Sequence, residues 1–509
     1  MAVSTSKYNK LIWYIIGISF IARFFFAYFL EFGNDEVYYW LLSSYPALSY
    51  FDHPPMLFTI INLLSFGHYI DAEWAMRLPS LISVSITTWL IYDLGRSIKS
   101  ARAGFIAAIL AQCSFYIFII SGFFIIPDGV LSVFWLLALR SAFKFFDEKN
   151  NEKNKQLHLL LFGLFIGLGA ITKYHILALW LSFGLIVLYK TISQPTYFKR
   201  IISNYRVYLS ILITIIAFTP VIVWNISNDF ASFKFHESRL SFFGSFNPLY
   251  FFREIFGQFV YNNFVVFILA FIGVFRWQKK RFISKSNYTF ILWFSLPLIG
   301  IFLFFSLFRA TFPHWSAPGY YLLIILAGAY LDDMKKQKFP KIIHITVAFT
   351  SILYITAFAV IQNGLFISNP NSPNKNKIEN DVTLDMYGWG QLSKQLIKNS
   401  DSYPTSTKMI VANKWYNAAH LDYYLCRNSD FELMAIGSIA DTHEYERINK
   451  ERGFTDPPNE AIFIQPQRAG RNPIELYSNI YNEINCIDTL EIYRNKVIAQ
   501  KVYVFLLKK

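Results

Sequence analysis

The sequence predicts a polytopic α-helical membrane protein of about 11 to 13 transmembrane helices, followed by a small C-terminal α/β domain. Hydrophobic residues make up 54% of the 509 residues and charged residues only 16%, and the mean hydropathy is +0.34. Apolar runs long enough to cross a bilayer recur as far as residue 362, after which the composition becomes polar. This composition excludes a disordered chain, a coiled coil and a disulfide-stapled secreted domain.

The first apolar run, Leu11–Leu30, follows Lys7 and Lys10 and lacks a small-residue cleavage site, which predicts an uncleaved anchor. Further spans are predicted near residues 76–95, 103–121, 127–146, 157–171, 173–190, 205–226, 255–276, 287–307, 316–333 and 341–362. The run Met56–Gly67 is too short to cross and is expected to lie at the interface or to re-enter.

The loop charges predict the orientation of these spans. A net charge of +14 in a soluble protein would suggest nucleic acid or acidic partners. Here we attribute it to the positive-inside bias and expect membrane lipids, not nucleic acid, as partners. Lys and Arg cluster near residues 96–102, 149–155, 199–206, 276–285 and 335–338, which predicts that these loops are cytoplasmic. The remaining loops then lie outside: 31–75, 122–127, 227–254 and 308–315. The polar tail is also predicted to lie outside, but one span more or fewer would place it on the cytoplasmic side.

The polar tail predicts a separate domain. We divide the chain into a transmembrane catalytic domain (1–362), a linker (363–380) that contains the turn-rich Asn369–Asn374, and a periplasmic α/β domain (381–509). Strands are predicted at Lys408–Ala412, Glu432–Ile436, Ala461–Gln465 and Lys496–Leu506, and helices at Gln391–Lys398 and Trp415–Tyr424. Cys426 and Cys486 lie in this tail and would be able to pair if it is extracytoplasmic.

Ionisable residues cluster in the loops that are predicted to lie outside. Asp35 and Glu36 precede Tyr38 and Tyr39, which suits a general base above an apolar ligand channel. The same two acids would also suit the cap of an interfacial helix. Both interpretations stay open on the sequence alone.

Other charged or aromatic residues share this predicted face. They are Asp52, His53, Asp128, Lys173, His236, Arg239, Arg309, His314 and Trp315. Taken singly, Lys173 is also compatible with a snorkelling helix-end lysine and His236 with an ordinary interfacial histidine. Together, carboxylates and cations above aromatic spans suit a substrate with a lipid tail and an anionic head. The sequence has no Walker or GxGxxG loop where one would operate, so no nucleotide cofactor is expected.

These motifs resemble a known family. Asp35-Glu36 with Tyr38-Tyr39-Trp40, and then Tyr50-Phe51-Asp52-His53-Pro54-Pro55, resemble the first-loop signature of lipid-linked-sugar glycosyltransferases with the GT-C fold. The most similar branch is the bacterial protein-mannosyltransferase-like group (glycosyltransferase families 39 and 83), which includes transferases that add aminoarabinose to lipid A. Later landmarks keep the same order: Pro127-Asp128, Thr172-Lys173-Tyr174, Trp224-Asn225 with His236 and Arg239, and Pro313–Pro318. The resemblance covers about residues 10–335.

The resemblance implies an inverting transferase that moves a sugar from undecaprenyl phosphate to lipid A or a related envelope glycolipid, on the periplasmic face of a bacterial inner membrane. It implies that Asp35 is the catalytic carboxylate and that Glu36 assists it. The implied donor-phosphate ligands are Lys173, Arg239 and His53, and the implied cavity residues are Tyr38, Tyr39, Asp128, His314 and Trp315. Asp52 and His236 match the acid and imidazole that hold a divalent metal, zinc, in the aminoarabinose branch.

Two departures put aminoarabinose itself in doubt as the sugar. The aminoarabinose branch usually has Lys at the position of His53, and a Lys-Leu-Pro-Thr-Tyr pattern where this chain reads Thr311-Phe312-Pro313-His314-Trp315. Transfer to a protein or to a polysaccharide intermediate therefore stays open. A transporter of lipid-linked glycans would also explain the many spans, but transporters place key groups near the bilayer midplane and use both faces. A polysaccharide polymerase or ligase is a third alternative, against which the Asp-Glu loop argues.

Overall fold

Helices form most of this chain because its long apolar runs must satisfy their own backbone hydrogen bonds in lipid. The computed structural model describes residues 2–240, 245–334, 339–364, 381–469 and 471–509. These residues form two units. Of the described residues, those within 1–25, 47–64 and 77–351 form unit 1, and those within 26–46, 65–76 and 352–509 form unit 2.

Unit 1 is a helical bundle. The helices that contribute to it are α1 (Ala2–Phe29), α3 (Met56–Leu64), α5 (Leu78–Ile98), α6 (Ala101–Cys113), α7 (Pro127–Phe146), α8 (Glu152–Ala170), α9 (Ala178–Ser193), α10 (Thr196–Ile202), α11 (Tyr205–Ser227), α12 (Ala231–Leu240), α13 (Pro248–Tyr261), α14 (Phe264–Lys279), α15 (Lys285–Phe305), α16 (Tyr320–Met334) and α17 (Lys341–Asn363). Helices α1 and α17 continue into unit 2. The short α3 occupies the run that is too short to cross a bilayer.

Six helical segments among the described residues are long and apolar enough to span a membrane: Ser6–Phe29, Pro127–Phe146, Tyr174–Ser193, Tyr205–Ser227, Lys285–Phe305 and Lys341–Asn363. Helices also lie at the remaining predicted spans, but they are shorter or less apolar: α5, α6, α8, α14 and α16. The protein is thus a polytopic membrane protein.

One predicted span, 255–276, is broken. The structure has two helices there, α13 and α14, which meet at an angle of 100°. Asn263 lies between them with φ of +63°, a left-handed conformation that asparagine tolerates better than most residues. Its side-chain oxygen accepts a hydrogen bond from the Val265 amide at 3.0 Å and so caps α14. The break follows from this local chemistry, which hydropathy alone does not reveal.

Small residues hold α8 against α11. A Cβ on Gly163 would lie 2.1 Å from the main-chain oxygen of Ser210, and one on Gly167 would lie 2.6 Å from Ala217 Cβ. The Ser210 and Thr214 hydroxyls donate hydrogen bonds to α8 carbonyls at 2.6 and 2.8 Å. Such small-residue contacts let membrane helices approach closely, and here they fix the end of α8 from which the chain turns toward Lys173.

Unit 2 contains a five-stranded sheet with the order β2-β1-β3-β5-β4. Its strands are β1 (Met409–Ala412), β2 (Glu432–Ala435), β3 (Glu460–Pro466), β4 (Glu483–Arg494) and β5 (Val497–Lys508). Strands β1, β2 and β3 are parallel, and β3-β5 and β5-β4 are antiparallel. The helices of unit 2 are α2 (Asn34–Ser44), α4 (Glu73–Met76), α18 (Trp389–Asn399), α19 (Trp415–Tyr424), α20 (Ile439–Thr442), α21 (Tyr445–Glu451) and α22 (Pro473–Tyr477). Cys426 and Cys486 do not form a disulfide with each other.

Unit 2 also includes two segments of the first outer loop, which the sequence boundaries place with the helical bundle. Glu31 accepts hydrogen bonds from the amides of Trp389 and Gly390, at 2.9 and 3.0 Å, at the start of α18. The main-chain oxygen of Asp71 accepts a hydrogen bond from the Tyr423 hydroxyl at 3.0 Å. Most of the predicted linker, residues 365–380, lies outside the described residues.

Candidate functional site

A buried ion pair joins the first turn of α7 to the turn that follows α8. Lys173 Nζ donates to Asp128 Oδ2 at 2.7 Å, and the two side chains are only 14% and 2% exposed. Asp128 Oδ1 also accepts a hydrogen bond from the Tyr116 hydroxyl at 3.2 Å. An ionised pair inside an apolar bundle is costly and therefore marks a candidate functional site.

Hydroxyl groups extend this network into the bundle. Ser132 lies one helical turn after Asp128 and donates to its main-chain oxygen at 2.7 Å. Ser132 and Tyr321 also share a hydrogen bond between their hydroxyl groups. Tyr321 belongs to α16, so the network ties α7 to a helix that is almost two hundred residues further along the chain. Tyr116, Ser132 and Tyr321 were not among the residues singled out from the sequence.

His314 lies near the same ion pair. Desolvation, reinforced by the charge of Lys173, lowers the pKa of His314 to about 4. The imidazole is therefore neutral near pH 7 and can accept as well as donate a hydrogen bond. Its neighbour Trp315 packs against Phe302, with ring centroids 5.7 Å apart.

A second buried carboxylate, Glu254 on α13, holds the loop that carries His314. Glu254 is 1% exposed. Its oxygens accept hydrogen bonds from Thr311 at 2.7 Å, Gln258 at 2.8 Å and Ser316 at 3.4 Å. Glu254 was also missed in the sequence, although an acid within the apolar run of α13 is itself a signal of function.

His236 lies beside Asp52. The His236 Nε2 atom is 3.1 Å from the main-chain oxygen of Asp52, and the His236 ring packs edge-on against Tyr174 at 5.1 Å. The predicted pair is thus adjacent, but this contact uses a carbonyl of Asp52 and not its carboxylate. No three His, Cys, Asp or Glu side chains come together as a metal-binding group within the described ranges. Protein zinc sites normally use three or four such ligands, so these two residues alone do not form one.

Asp35 and Glu36 lie in the first turn of α2 and have different surroundings. Glu36 is 1% exposed, and its Oε2 accepts a hydrogen bond from the Gly33 amide at 3.0 Å, as in a capping box. Asp35 is exposed. The structure therefore gives Glu36 the capping role that the sequence left open for both acids, and it presents Asp35 to solvent.

Aromatic residues of α2 pack within unit 2. Tyr38 is buried, its ring lies 4.9 Å from that of Trp415, and its hydroxyl accepts a hydrogen bond from the Glu444 amide at 3.2 Å. Tyr39 is 5% exposed and contacts the Tyr38 ring at 6.0 Å. Tyr38 thus anchors the helix that carries Asp35 to the C-terminal part of the chain.

The structure gives less information on two other predicted phosphate ligands, His53 and Arg239. His53 follows Asp52 in the turn before α3, and its main-chain oxygen accepts a hydrogen bond from the Tyr50 amide at 3.1 Å. Arg239 falls at the end of α12, and its side chain lies outside the described part of the chain.

Asp71, in the first outer loop, forms hydrogen bonds with a residue of α2 and with a residue of the segment after α19. Its carboxylate accepts hydrogen bonds from Trp40 Nε1 at 2.6 Å and from Arg427 at 2.9 Å, and its Oδ1 lies 3.3 Å from His68 Nδ1. Burial raises the pKa of Asp71, but the hydrogen bond with His68 and the charge of Arg427 outweigh burial and leave the pKa below 3.8.

We expect Asp71→Asn to lower the stability of the protein by about 2 kcal/mol, because it weakens charge-assisted hydrogen bonds. A folded-state pKa below the unfolded one means that the stabilisation is complete above the unfolded value near 3.8 and is lost as the pH falls through the folded value. Thermal unfolding in detergent at several pH values should show a difference from wild type at neutral pH that shrinks below about pH 4. Asp430→Asn, at an exposed acid of the same unit, serves as the control. Equal effects of the two substitutions would contradict this interpretation.

Comparison with solved structures identifies the fold. The chain is similar to the crystal structure of ArnT from Cupriavidus metallidurans in the apo state, with a TM-score of 0.62, 14% sequence identity and coverage of 99% of this chain and 98% of that one. It is equally similar to ArnT from the same organism bound to undecaprenyl phosphate, with a TM-score of 0.63, 14% identity and coverage of 98% of each chain. The protein is therefore a polytopic membrane protein of the GT-C fold, as the resemblance implied.

Sequence comparison points to the same group of proteins. Residues 52–224 match the family model described as dolichyl-phosphate-mannose-protein mannosyltransferase. The chain is 26% identical over 322 residues to undecaprenyl phosphate-alpha-4-amino-4-deoxy-L-arabinose arabinosyl transferase 1 of Proteus mirabilis, covering 61% of this chain and 54% of the relative. The chain thus spans about half the length of the curated relatives that it matches. These matches confirm the resemblance to lipid-linked-sugar transferases that the motifs of the first outer loop indicated.

Proposed function

We propose that this protein is an inverting glycosyltransferase that moves a sugar from undecaprenyl phosphate to an acceptor hydroxyl on the periplasmic face of a bacterial inner membrane. The observation that carries the proposal is the buried Lys173–Asp128 pair in a bundle of GT-C fold. A relative whose name specifies an undecaprenyl phosphate-linked sugar, and a neighbour of the same fold that binds undecaprenyl phosphate, support it.

The acceptor that we propose is lipid A or a related envelope glycolipid. The resemblance to aminoarabinose transferases favours this acceptor. His53 and His314 occupy positions at which the aminoarabinose branch usually has other residues, so the identity of the sugar stays open. A protein acceptor for the same chemistry is the alternative that the experiment below distinguishes.

The reaction follows from the roles of individual residues. The Asp35 carboxylate takes the proton of the acceptor hydroxyl, and the acceptor oxygen attacks the anomeric carbon of the donor. The bond between that carbon and the phosphate oxygen breaks, its electron pair leaves with undecaprenyl phosphate, and the anomeric configuration inverts. Lys173 stabilises the charge that develops on the phosphate, while Asp128 holds the ammonium group in place. Arg239 and His53 are further proposed phosphate ligands. Glu36 caps the start of α2 and so fixes the position of the helix turn that carries Asp35.

None of the proposed steps is assigned to a metal ion. The resemblance implies that Asp52 and His236 would bind zinc. The two residues are adjacent, but in the described part of the chain no third protein ligand joins them. We therefore propose that His236 orients the loop around Asp52.

Mass spectrometry of cell fractions tests the function. Lipid A, polyprenyl-phosphate and glycoprotein fractions are compared between cells with the gene and cells that lack it, complemented with wild type or Asp35→Asn. We expect one acceptor fraction to lose a sugar mass that only wild type restores. Unchanged masses, with a lipid-linked glycan retained on one leaflet, would contradict transfer and indicate transport.

A further inference from the structure

A polar cavity lies at the opposite, predicted cytoplasmic end of unit 1. It has a volume of about 390 Å³ and is formed by the end of α7, the start of α8, the end of α9, and α10. Its floor contains the buried Phe145 and Phe146. None of the residues discussed above for sugar transfer lines it.

Three cations line this cavity: Lys155, Lys190 and Arg200. The Lys190 ammonium lies 5.4 Å from the centre of the Tyr197 ring and 5.2 Å from that of Phe146. The Arg200 guanidinium lies 4.8 Å from the same Tyr197 ring. Two cations therefore converge on one buried aromatic side chain, an arrangement that favours an anion between them.

The carboxylates of the cavity lie at its rim. Glu152 pairs with Lys155 at 3.2 Å, but its side chain is 76% exposed, whereas that of Lys155 is 18% exposed. Glu148 is also exposed. Three cations and two carboxylates line the cavity, and Lys155 and Lys190 are less exposed than Glu148 and Glu152, so water screens the charges of these two lysines less.

Exposed apolar side chains surround the cavity. Ile192 is 83% exposed, Phe198 41% and Ile202 43%, on the same elements that supply Lys190 and Arg200. The seven-residue α10 thus combines apolar and cationic side chains, which is typical of a segment at the membrane interface. A ligand at this position would meet lipid, which favours a lipid headgroup over a free anion.

We propose that this cavity binds the phosphodiester headgroup of an anionic phospholipid such as phosphatidylglycerol. The phosphate lies between Lys190 and Arg200, and the polar remainder of the headgroup faces Gln194 and Gln156. The acyl chains follow the exposed apolar side chains of α9. This site does not depend on the transferase activity proposed above.

Native mass spectrometry of the delipidated full-length chain in detergent tests the site. The probes are dioleoyl-phosphatidylglycerol and dioleoyl-phosphatidylcholine, added separately. We expect wild type to retain one phosphatidylglycerol at least about 10-fold more tightly than phosphatidylcholine. Arg200→Gln should reduce this preference about 10-fold, and Lys190→Gln similarly.

Lys199→Gln is the matched control, since it removes the same charge from an adjacent position that is exposed like Arg200 but does not line the cavity. We expect it to change retention less than about 2-fold. Inorganic phosphate should not displace the bound lipid. Equal effects of Arg200→Gln and Lys199→Gln, equal retention of the two lipids, or displacement by inorganic phosphate would each overturn the proposal.

Discussion

Asp35→Asn should greatly reduce the rate of sugar transfer while leaving the protein folded. We expect kcat/KM to fall about 1,000-fold, since a positioned general base typically contributes between about 100- and 10,000-fold to the rate. The substitution removes the proton acceptor but preserves the size and shape of the side chain. Because Asp35 is exposed and Glu36 supplies the helix cap, stability should change by less than about 1 kcal/mol.

Glu36→Gln separates the two acids of this motif. Glutamine can still accept the hydrogen bond from the Gly33 amide, so the cap of α2 is preserved while the charge is lost. We expect transfer by Glu36→Gln to fall by no more than about 10-fold. Near wild-type turnover of Asp35→Asn in a correctly folded protein would refute Asp35 as the base. Equal losses in both variants would assign the role to the pair.

Lys173→Met should have the second largest effect, and it should affect both stability and activity. Removal of one partner of a buried ion pair leaves an uncompensated carboxylate on Asp128, which costs about 3–5 kcal/mol. The affinity for undecaprenyl phosphate should fall as well, because the variant lacks the ammonium group that we assign to the phosphate. Thermal unfolding in detergent and binding of undecaprenyl phosphate measure the two effects separately.

The double variant Asp128→Asn with Lys173→Met is the control. It removes both charges, so most of the lost stability should return, whereas affinity for the phosphate should not. If carrier binding and turnover returned together with stability, the role of Lys173 would be structural. In that case the buried Lys173–Asp128 pair would no longer support the proposed function.

Much of the fold was predictable because membrane helices and sheet-core strands carry strong apolar signals. The predicted strands Glu432–Ile436 and Ala461–Gln465 match β2 and β3, and the predicted helix Trp415–Tyr424 is observed with the same bounds. Strand β4 was missed. It lies at the edge of the sheet, and a register shift between Cys486 and Asp488 interrupts the alternation of its apolar and polar residues.

The candidate site was predictable only in part. Asp128 and Lys173 were each predicted to lie at the outer face, but no spacing rule joins residues 45 positions apart. Their pairing depends on the tertiary arrangement of α7 and α8. Glu254 falls at the end of the predicted outer loop 227–254, and its burial became evident only because the structure places it on α13, the helix that precedes the break at Asn263. Asp52 and His236 are adjacent as predicted, through a main-chain contact that sequence cannot reveal.

Reconstituted protein tests the central claim most directly. The purified chain in proteoliposomes is incubated with a polyprenyl-phosphate-sugar fraction and with lipid A, and both products are followed by mass spectrometry. We predict that wild type releases undecaprenyl phosphate in equal molar amount to the sugar gained by the acceptor, and that Asp35→Asn releases it about 1,000-fold more slowly. An intact donor that appears on the other leaflet, with no sugar on any acceptor, would contradict the account.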